Sequence, residues 1–540
     1  MSIDVKLLEI ALDKGVNIEP DAFEVLRSMD DAVDVLVDII INLKANRDKK
    51  NSFLIVTRDL VTGEPSEPSN GEEESEPDAE LEVDIDVELP VEKEEEEIEE
   101  EISLDEESAV VEDTGVDVPV VRGDLGGFDD FGVVVDTTGK SYTDGSIKDI
   151  ITYFNSRYDK LFNILSKRPE LSKAIPIVDA QHSKEQVAII GMVSEIIYTK
   201  NGHRIYEVED STDKISVLFS KDSDIFGETD YLVRDEVIGI TGKKGGSLFI
   251  PSSVIQPSFT KQVPKDDLDF SVAFISDVHI GSETFLEKSF QNFIDWLNGK
   301  YGNSEQREIG LNVKYLLIAG DLIDGIGVYP NQDEQLTITD VKEQYDYAGV
   351  LLEQIRDDVK IILSPGNHDV VRLAEPQPSI PEEYAGKISS LPNIELVSNP
   401  AEVNLEGLDV IMYHGRSFDD MAMGVKGLSQ ERTDLIMKEL LEKRHLAPIY
   451  GERTSLSSEL EDYMVIERIP HILHTGHIHI NSYKKYKGVH LLNSGTFQSQ
   501  TDFQKIYNIM PTCAKVPVLY KGNMKILSFL DEEENITEEI

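Results

Sequence analysis

The sequence predicts a multidomain α/β protein. An α/β sheet domain carries a site, a β-rich barrel precedes it, and a small helical module is attached through an acidic tether. Three observations predict this. Six apolar runs between residues 270 and 493 each end in a polar cluster, and segments of helical periodicity lie between them. Residues 185–257 read as five short strands with a strong hairpin turn at Asn201-Gly202. Residues 71–113 hold 23 acids and one base, Lys93.

The site domain comes first in the argument. Residues 359–363 form an apolar run that Pro365 and Gly366 stop, and Asn367-His368-Asp369 follow. Residues 270–275 lead into Asp277-Val278-His279, and 313–319 into Gly320-Asp321-Leu322-Ile323-Asp324. Residues 409–413 lead into His414-Gly415, 469–473 into His474-Thr475-Gly476-His477-Ile478-His479, and 489–492 into Asn493-Ser494-Gly495-Thr496. One histidine after a strand is ordinarily structural, but the ordered set is not. Between the first two clusters Phe290, Phe293, Ile294 and Leu297 recur at helical spacing; between the second and third, Tyr347, Val350, Leu351 and Ile355 do. These are read as crossover helices of a sheet whose ligands bind outside the carboxyl ends of its strands. Trp296 is read as a packing residue.

The polar clusters offer Asp, Asn and His, with no thiolate. That mixture suits divalent ions of intermediate hardness better than an all-oxygen calcium cage. There are too many donors for one ion with an open position, and enough for two ions sharing a carboxylate. Two ions about 3.5–4 Å apart form a clamp for phosphoryl transfer and neutralise charge in its transition state. The reaction class is hydrolysis of a phosphoester.

Asp277-x-His279, Gly320-Asp321-x-x-Asp324, Gly366-Asn367-His368-Asp369, His414 and Gly476-His477-x-His479 resemble the full pattern of the calcineurin-like metallophosphoesterases. The resemblance implies an αββα sandwich over residues 268–530 and two divalent ions. Mn²⁺ is the first expectation, with Fe²⁺, Zn²⁺ or Mg²⁺ as alternatives. Asp277, His279, Asp321 and His479 would hold one ion; Asp321, as the bridge, with Asn367, His414 and His477 would hold the other. His368 would protonate the leaving oxygen. Asp369 is expected to orient His368, and Asp324 to orient a ligand from behind. His471 and His474 are read as structural.

Residues 413–420 (Tyr413-His414-Gly415-Arg416-Ser417-Phe418-Asp419-Asp420), 443–451, Gly495-Thr496-Phe497-Gln498 and Thr501-Asp502-Phe503-Gln504 extend the resemblance. Over residues 185–525 the chain is similar to the small subunits of archaeal D-family DNA polymerases. This implies a metal-dependent 3′→5′ proofreading exonuclease, partnered with a large polymerising subunit and acting at the 3′ end of a DNA primer. A sliding clamp would be reached through the complex. In the related eukaryotic B-subunits the ligands are degraded; here every ligand position is filled.

The remaining segments follow in chain order. Residues 1–50 are expected to be a helical partner-docking module: Ile3, Leu7, Ile10 and Ala11 share one face, and Val33, Leu36, Val37 and Ile40 another. Residues 51–140 are expected to be a disordered acidic linker. Residues 141–182 contain a connecting helix whose apolar stripe is Ile147, Ile150, Ile151, Phe154, Tyr158, Leu161 and Leu165. Residues 183–262 are expected to be an OB-type barrel, as the resemblance also implies. Residues 531–540 are an acidic tail.

The chain has 51 basic and 104 acidic residues, for a formal charge of −53, and one cysteine, Cys513. The lone cysteine excludes an intrachain disulfide and fits a reducing cytoplasm. No signal peptide and no apolar run of about 20 residues is visible, so no membrane partner is expected. Excess acid counts against strong autonomous DNA binding, because counterion release from phosphates needs lysine and arginine. Arg416, Arg444, Lys243 and Lys244 are the contacts to DNA that the sequence offers, with Lys484, Lys485 and Lys487 near the site mouth; otherwise a partner subunit supplies the groove. Two further readings stand beside the exonuclease: a non-catalytic scaffold subunit and a metallophosphatase.

Overall fold

The computed structural model describes residues 126–540 except 266, 330, 507–508, 531–535 and 540, together with positions 16–18, 26, 29, 35–36, 39 and 54–56. The chain divides into two compact units, Met1–Val111 and Glu112–Ile540. In the first, strands β1 (Val16–Ile18) and β2 (Leu54–Val56) pair in parallel. The expected helical module therefore contains a strand; its positions 26, 35–36 and 39 are helical, with Leu26 and Leu36 buried. The other residues of the module, and the tether at residues 71–113, lie outside the described residues. The linker boundaries need correction at both ends, because β2 and β3 (Phe131–Val135) are strands within residues 51–140. β3 pairs with residues 402–405 of the second unit through Phe131, Gly132, Val133 and Val135. Its apolar Phe131 and Val133 pack on the core, which is why the chain is ordered there.

The helix Ile147–Leu165 begins with a capping box, in which Ser146 and Asp149 exchange hydrogen bonds. Its buried face is Tyr153, Arg157, Leu161 and Leu165. This corrects the expected stripe: Ile147 and Ile151 are exposed, and a charged residue takes a core position. Arg157 is completely buried because Asp462 pairs with it at 2.7 Å and the carbonyls of Asp235 and Pro448 accept from the same guanidinium. One side chain therefore joins the helix to both domains that follow.

β4 (Val187–Tyr198), β5 (Arg204–Glu209), β6 (Lys214–Phe219), β7 (Val237–Gly245) and β8 (Leu248–Ile255) close into a five-stranded barrel in the order β4-β5-β6-β8-β7. Alternate residues of the strands (Ile189, Val193, Tyr206, Val208, Val217, Phe219, Ile238 and Ile240) fill it.

The site domain has two sheets face to face. One runs β12-β11-β10-β9-β18-β19-β20, with β9 (Ser271–Ile275), β10 (Val313–Ala319), β11 (Lys360–Ser364) and β12 (Ile394–Leu396) parallel. β18 (Lys515–Tyr520), β19 (Asn523–Ser528) and β20 (Thr537–Glu539) extend it in antiparallel sense. The other runs β16-β17-β15-β14-β13-β3. Its parallel centre is β14 (Leu408–Met412), β15 (Ile472–Thr475) and β17 (Val489–Asn493), flanked by β13 (Ala401–Leu405) and β16 (Ser482–Tyr486).

The period-2 pattern of each strand assigns its faces. On β10, Tyr315 and Leu317 enter the layer between the sheets, while Leu316 and Ile318 meet the outer helices; Val313 joins the latter because the register shifts between Val313 and Tyr315. On β14, Val410 and Met412 face inward, and Ile411 faces the helix Thr433–Lys443 on the far side. Helix, sheet, sheet and helix thus form four layers, as expected.

Trp296 packs inside the outer layer and donates its Nε1–H to the Gln306 carbonyl at 2.7 Å. The second crossover helix, Val341–Leu352, buries Tyr345, Ala348, Leu351 and Leu352, and Ile355 just beyond it is buried too. Of the expected stripe Leu351 and Ile355 join the core and Tyr347 packs against it, while Val350 is exposed; Tyr345, which donates to Asp369, is the core residue the stripe lacked.

Candidate metal centre

β9, β10, β11, β14 and β15 all deliver a polar cluster from their carboxyl ends, and these strands come from both sheets. The turns are tight. Asp277, His279, Asp321, His477 and His479 have φ of 50°, 56°, 52°, 71° and 60°. Five non-glycine residues in the left-handed region cost free energy, and such costs cluster where function requires a geometry. Two glycines let the turns interlock. A Cβ on Gly366 would stand 2.2 Å from Asp321 Oδ1, and one on Gly476 would stand 2.4 Å from Asp277 Oδ2. The loops are also cross-bonded: Asp277 N donates to the Gly320 carbonyl and Val278 N to the Asp321 carbonyl.

The donors converge. Asp277, His279 and His479 bring ligand atoms within 4.8 Å of one another, and so do Asp277, Asp321 and His414. His479 Nε2 is 3.4 Å from Asp277 Oδ1 and 3.1 Å from His279 Nε2. Asp321 Oδ2 faces both groups, at 3.2 Å from His414 Nε2 and 4.0 Å from His279 Nε2. Asn367 Oδ1 lies 3.2 Å from His414 Nε2. The His477 ring stands 5.2 Å from that of His414, at the rim of the cluster.

Three of the four rings are hydrogen-bonded from behind, as metal-binding imidazoles are, and the fourth, His477, faces a carboxylate. His279 Nδ1 contacts Asp324 Oδ1 at 2.8 Å, and His414 Nδ1 donates to the Ala319 carbonyl at 2.9 Å. The side-chain amide of Gln504 stands 2.9 Å from His479 Nδ1, and Asp419 Oδ2 stands 3.6 Å from His477 Nε2. Asp324 is itself gripped by the amides of Gln332 and Gln498.

The electrostatics calls for cations. Burial works against the charge of Asp277 and Asp321, yet both carboxyls are held below their ordinary range by neighbouring imidazoles, His479 for the first and His414 for the second. Burial would lower His414, but the Asp321 carboxylate overrides it and raises the imidazole to about 10. Two buried carboxylates, an amide oxygen and four imidazoles, with no thiolate, fit divalent ions of intermediate hardness.

His368 lies beside the cluster. Its Nδ1 donates to the Asp324 carbonyl at 2.8 Å, which leaves Nε2 for the cavity. Its ring meets that of His279 edge-on at 4.7 Å. Asp369 does not orient His368. Its carboxylate accepts from Gly366 N, Leu322 N and the Tyr345 hydroxyl, so it pins two ligand loops instead. Burial raises its carboxyl to about 6. His474 falls inside β15 rather than after it, packing against Phe274 and contacting Ser494 Oγ through Nε2. Ser494 donates to Ser276, whose hydroxyl bonds to Asp277, so His474 ends a chain that braces a candidate ligand. Burial pushes its imidazole down to about 3.

A cavity of about 970 Å³ opens onto the cluster; its walls include Asp321, Asn367, His368, Tyr329, Asp419, Arg453 and Met510. None of the four expected DNA contacts is on its wall. Arg444 is buried and donates to the carbonyls of Ile466 and Glu467, and burial lowers its guanidinium to about 10. Lys243 and Lys244 end β7, where Lys244 caps the Gln181 carbonyl. Arg416 is half-buried near Glu375. Lys484 pairs with Asp434 and Lys487 with Glu442.

Sequence reasoning missed Gln332, Asp419, Arg453, and the roles of Gln498 and Gln504. Asp419, Gln498 and Gln504 stand in stretches that carry the resemblance, but no ligand spacing singles them out.

The site is a convergence of candidate metal donors at the strand ends of a two-sheet, four-layer α/β sandwich. A family profile for the B subunit of DNA polymerases alpha and epsilon matches residues 272–485. The DNA polymerase II small subunit of Methanothermobacter thermautotrophicus is 49% identical over 96% of this chain and 98% of its own. That of Methanocaldococcus jannaschii is 43% identical over 71% of this chain and 65% of its own. Among solved structures, a predicted phosphoesterase from Streptococcus pneumoniae aligns with 50% of this chain and 96% of its own, at 13% identity and a TM-score of 0.23. The chain belongs to the DNA polymerase II small subunit family.

Proposed function

We propose that this chain is the proofreading subunit of a heteromeric DNA polymerase. It would hydrolyse phosphodiesters from the 3′ end of a primer while a large subunit polymerises. The observation that supports this best is the set of converging donors, three of their four imidazoles hydrogen-bonded from behind, beside a histidine whose Nε2 faces a cavity. Asp277, His279, Asp321 and His479 would hold one ion; Asn367, His414 and His477 the other, with Asp321 between them. When bound, such a pair activates water and neutralises charge at phosphorus.

The chain's own residues do the rest. The attacking oxygen joins phosphorus, the bond to the O3′ of the penultimate nucleotide breaks, and a nucleoside 5′-monophosphate leaves. His368, with its Nδ1 proton committed to the Asp324 carbonyl, delivers a proton from Nε2 to that O3′. Asp324 and Gln504 keep the His279 and His479 rings in plane, and Asp369 holds the loops of Asp321 and Asn367 in register. No helix among the described residues is long and apolar enough to cross a membrane, and a cytoplasmic site of action fits the lone cysteine.

The test is shortening of a 5′-labelled, 3′-mismatched primer in Mn²⁺, by the chain alone and with its large subunit. Stepwise loss from the 3′ end is expected. His368→Ala should keep both ions and lose about 10²–10⁴-fold in turnover, the usual worth of general-acid help. A variant that cuts normally would remove His368 from the mechanism. Hydrolysis of a phosphopeptide but not of the primer would make the chain a phosphatase.

A further inference from the structure

We propose that Arg453 is a substrate-binding residue that grips a backbone phosphate next to the scissile one, and so selects nucleic-acid chains over esters with a single phosphate. This rests on the exonuclease reading above. Four acids, Asp321, Asp324, Asp419 and Glu431, line the 970 Å³ cavity, and Arg453 is the one lysine or arginine among its lining residues. The volume is at the upper end of what encloses a drug-sized ligand, so space remains beyond one reacting phosphate.

The residue is presented deliberately. Asp420 is buried, and its two carboxylate oxygens accept from Arg453 N at 3.0 Å and Thr454 N at 2.9 Å. Thr454 is buried as well, while Arg453 is exposed at the cavity mouth. The backbone is therefore anchored and the side chain is left to the cavity. Asp419 on the wall accepts from Gln430 and faces His477, and the Arg453 charge also acts on it, without an ion pair between the two. An arginine held over an acidic cavity attracts an anion, and its planar fork matches two phosphate oxygens. The scissile phosphate has the metal centre as its countercharge. The guanidinium then meets the next phosphate along the chain, the second one that a polynucleotide has and a simple ester lacks.

The experiment compares two substrates of the full chain in Mn²⁺: a single-stranded oligonucleotide, and bis(4-nitrophenyl) phosphate, which has one phosphate. Arg453→Ala should raise KM for the oligonucleotide by about tenfold, with kcat within about twofold, because one charged contact is lost. The salt dependence of log(kcat/KM) should become shallower by about 0.7, the release expected for one single-strand phosphate contact. Hydrolysis of the small diester and the bound Mn²⁺ should not change, and Arg453→Lys should recover part of the loss. An unchanged KM and salt slope would overturn the proposal. So would an equal loss on both substrates, which would place the effect in the metal centre through Asp419. A wild-type chain that cleaves the diester but not the oligonucleotide would refute the exonuclease reading and this inference together. A wild-type chain that cuts DNA while Arg453→Ala cuts it equally well would refute this inference alone.

Discussion

Two buried polar clusters in this protein use the same residue types and reach opposite ends. At the joint between helix, barrel and site domain, Asp462 accepts from Arg157 at 2.7 Å and contacts His445 Nε2 at 2.9 Å. Met464 N donates to its other oxygen, Ala447 N donates to His445 Nδ1, and the Tyr153 hydroxyl completes the arginine. The positive charge is built into the chain and every group is answered, so the cluster is sealed. At the metal centre, carboxylates and imidazoles converge in the same way, but no arginine among the described residues enters. The backbone is held at positive φ, two imidazole Nε2 atoms meet at 3.1 Å, and a cavity reaches the cluster. No permanently charged side chain stands among these donors, only titratable imidazoles that a metal ion can replace as the countercharge. A permanent internal cation makes a fastener, and its absence leaves a candidate site.

Substitutions that separate these two clusters would break or sharpen the comparison. The largest effect is expected from Asp321→Ala, which removes the carboxylate facing both histidine groups. Metal analysis should find at least one ion lost, and primer cleavage should fall below that of His368→Ala. Retention of two ions would remove its bridging role. Next, Arg157→Ala should cost about 3–5 kcal/mol in denaturant unfolding, because it leaves Asp462 buried without its cation. Its metal content should be unchanged. A smaller cost would mean that water enters the joint.

Gln504→Ala should weaken Mn²⁺ affinity by about 10–100-fold, as loss of a group behind a ligand does. Calorimetric titration reads this directly, and unchanged affinity would make Gln504 a packing residue. The smallest effect concerns pH. Burial, followed by the nearby Arg157 charge, lowers His445 to about 4 from an ordinary 6.5. Between those values the unfolded chain binds a proton that the folded chain refuses. The stability from this residue is therefore complete above about pH 6.5 and is lost as pH falls toward 4. His445→Gln should flatten that part of the stability profile measured by thermal unfolding. An unchanged slope would assign the loss elsewhere, His474 being the other deeply lowered histidine.

The metal centre is legible in the sequence and the joint is not, for a physical reason. Polar clusters recur at strand ends, and the resemblance to the metallophosphoesterase pattern picks Asp277, His279, Asp321, Asn367, His414, His477 and His479 out of them as candidate ligands. At the joint, Asp462 lies 305 residues from Arg157 and 17 from His445, and no local spacing links the three. The helix around Arg157 reads as an apolar stripe, of which Leu161 and Leu165 are buried while Tyr153 and Arg157 take the remaining core positions. Arg444 reads as a DNA contact on charge alone, although carbonyls of residues 466 and 467 consume its donors. The residues behind the ligands are half legible: Asp324 has a motif position, whereas Asp419 and Gln504 reach their histidines only through the fold.

The central claim is that the converging donors are completed by two external cations. Titration of the metal-stripped chain with Mn²⁺ tests it most directly, with calorimetry to count sites and electron paramagnetic resonance to detect a coupled pair. The account predicts two ions per chain with a spin-coupled signal, reduced to one or none in Asp321→Ala and unchanged in Arg157→Ala. A folded wild-type chain that binds no Mn²⁺, or two ions without coupling, would contradict it.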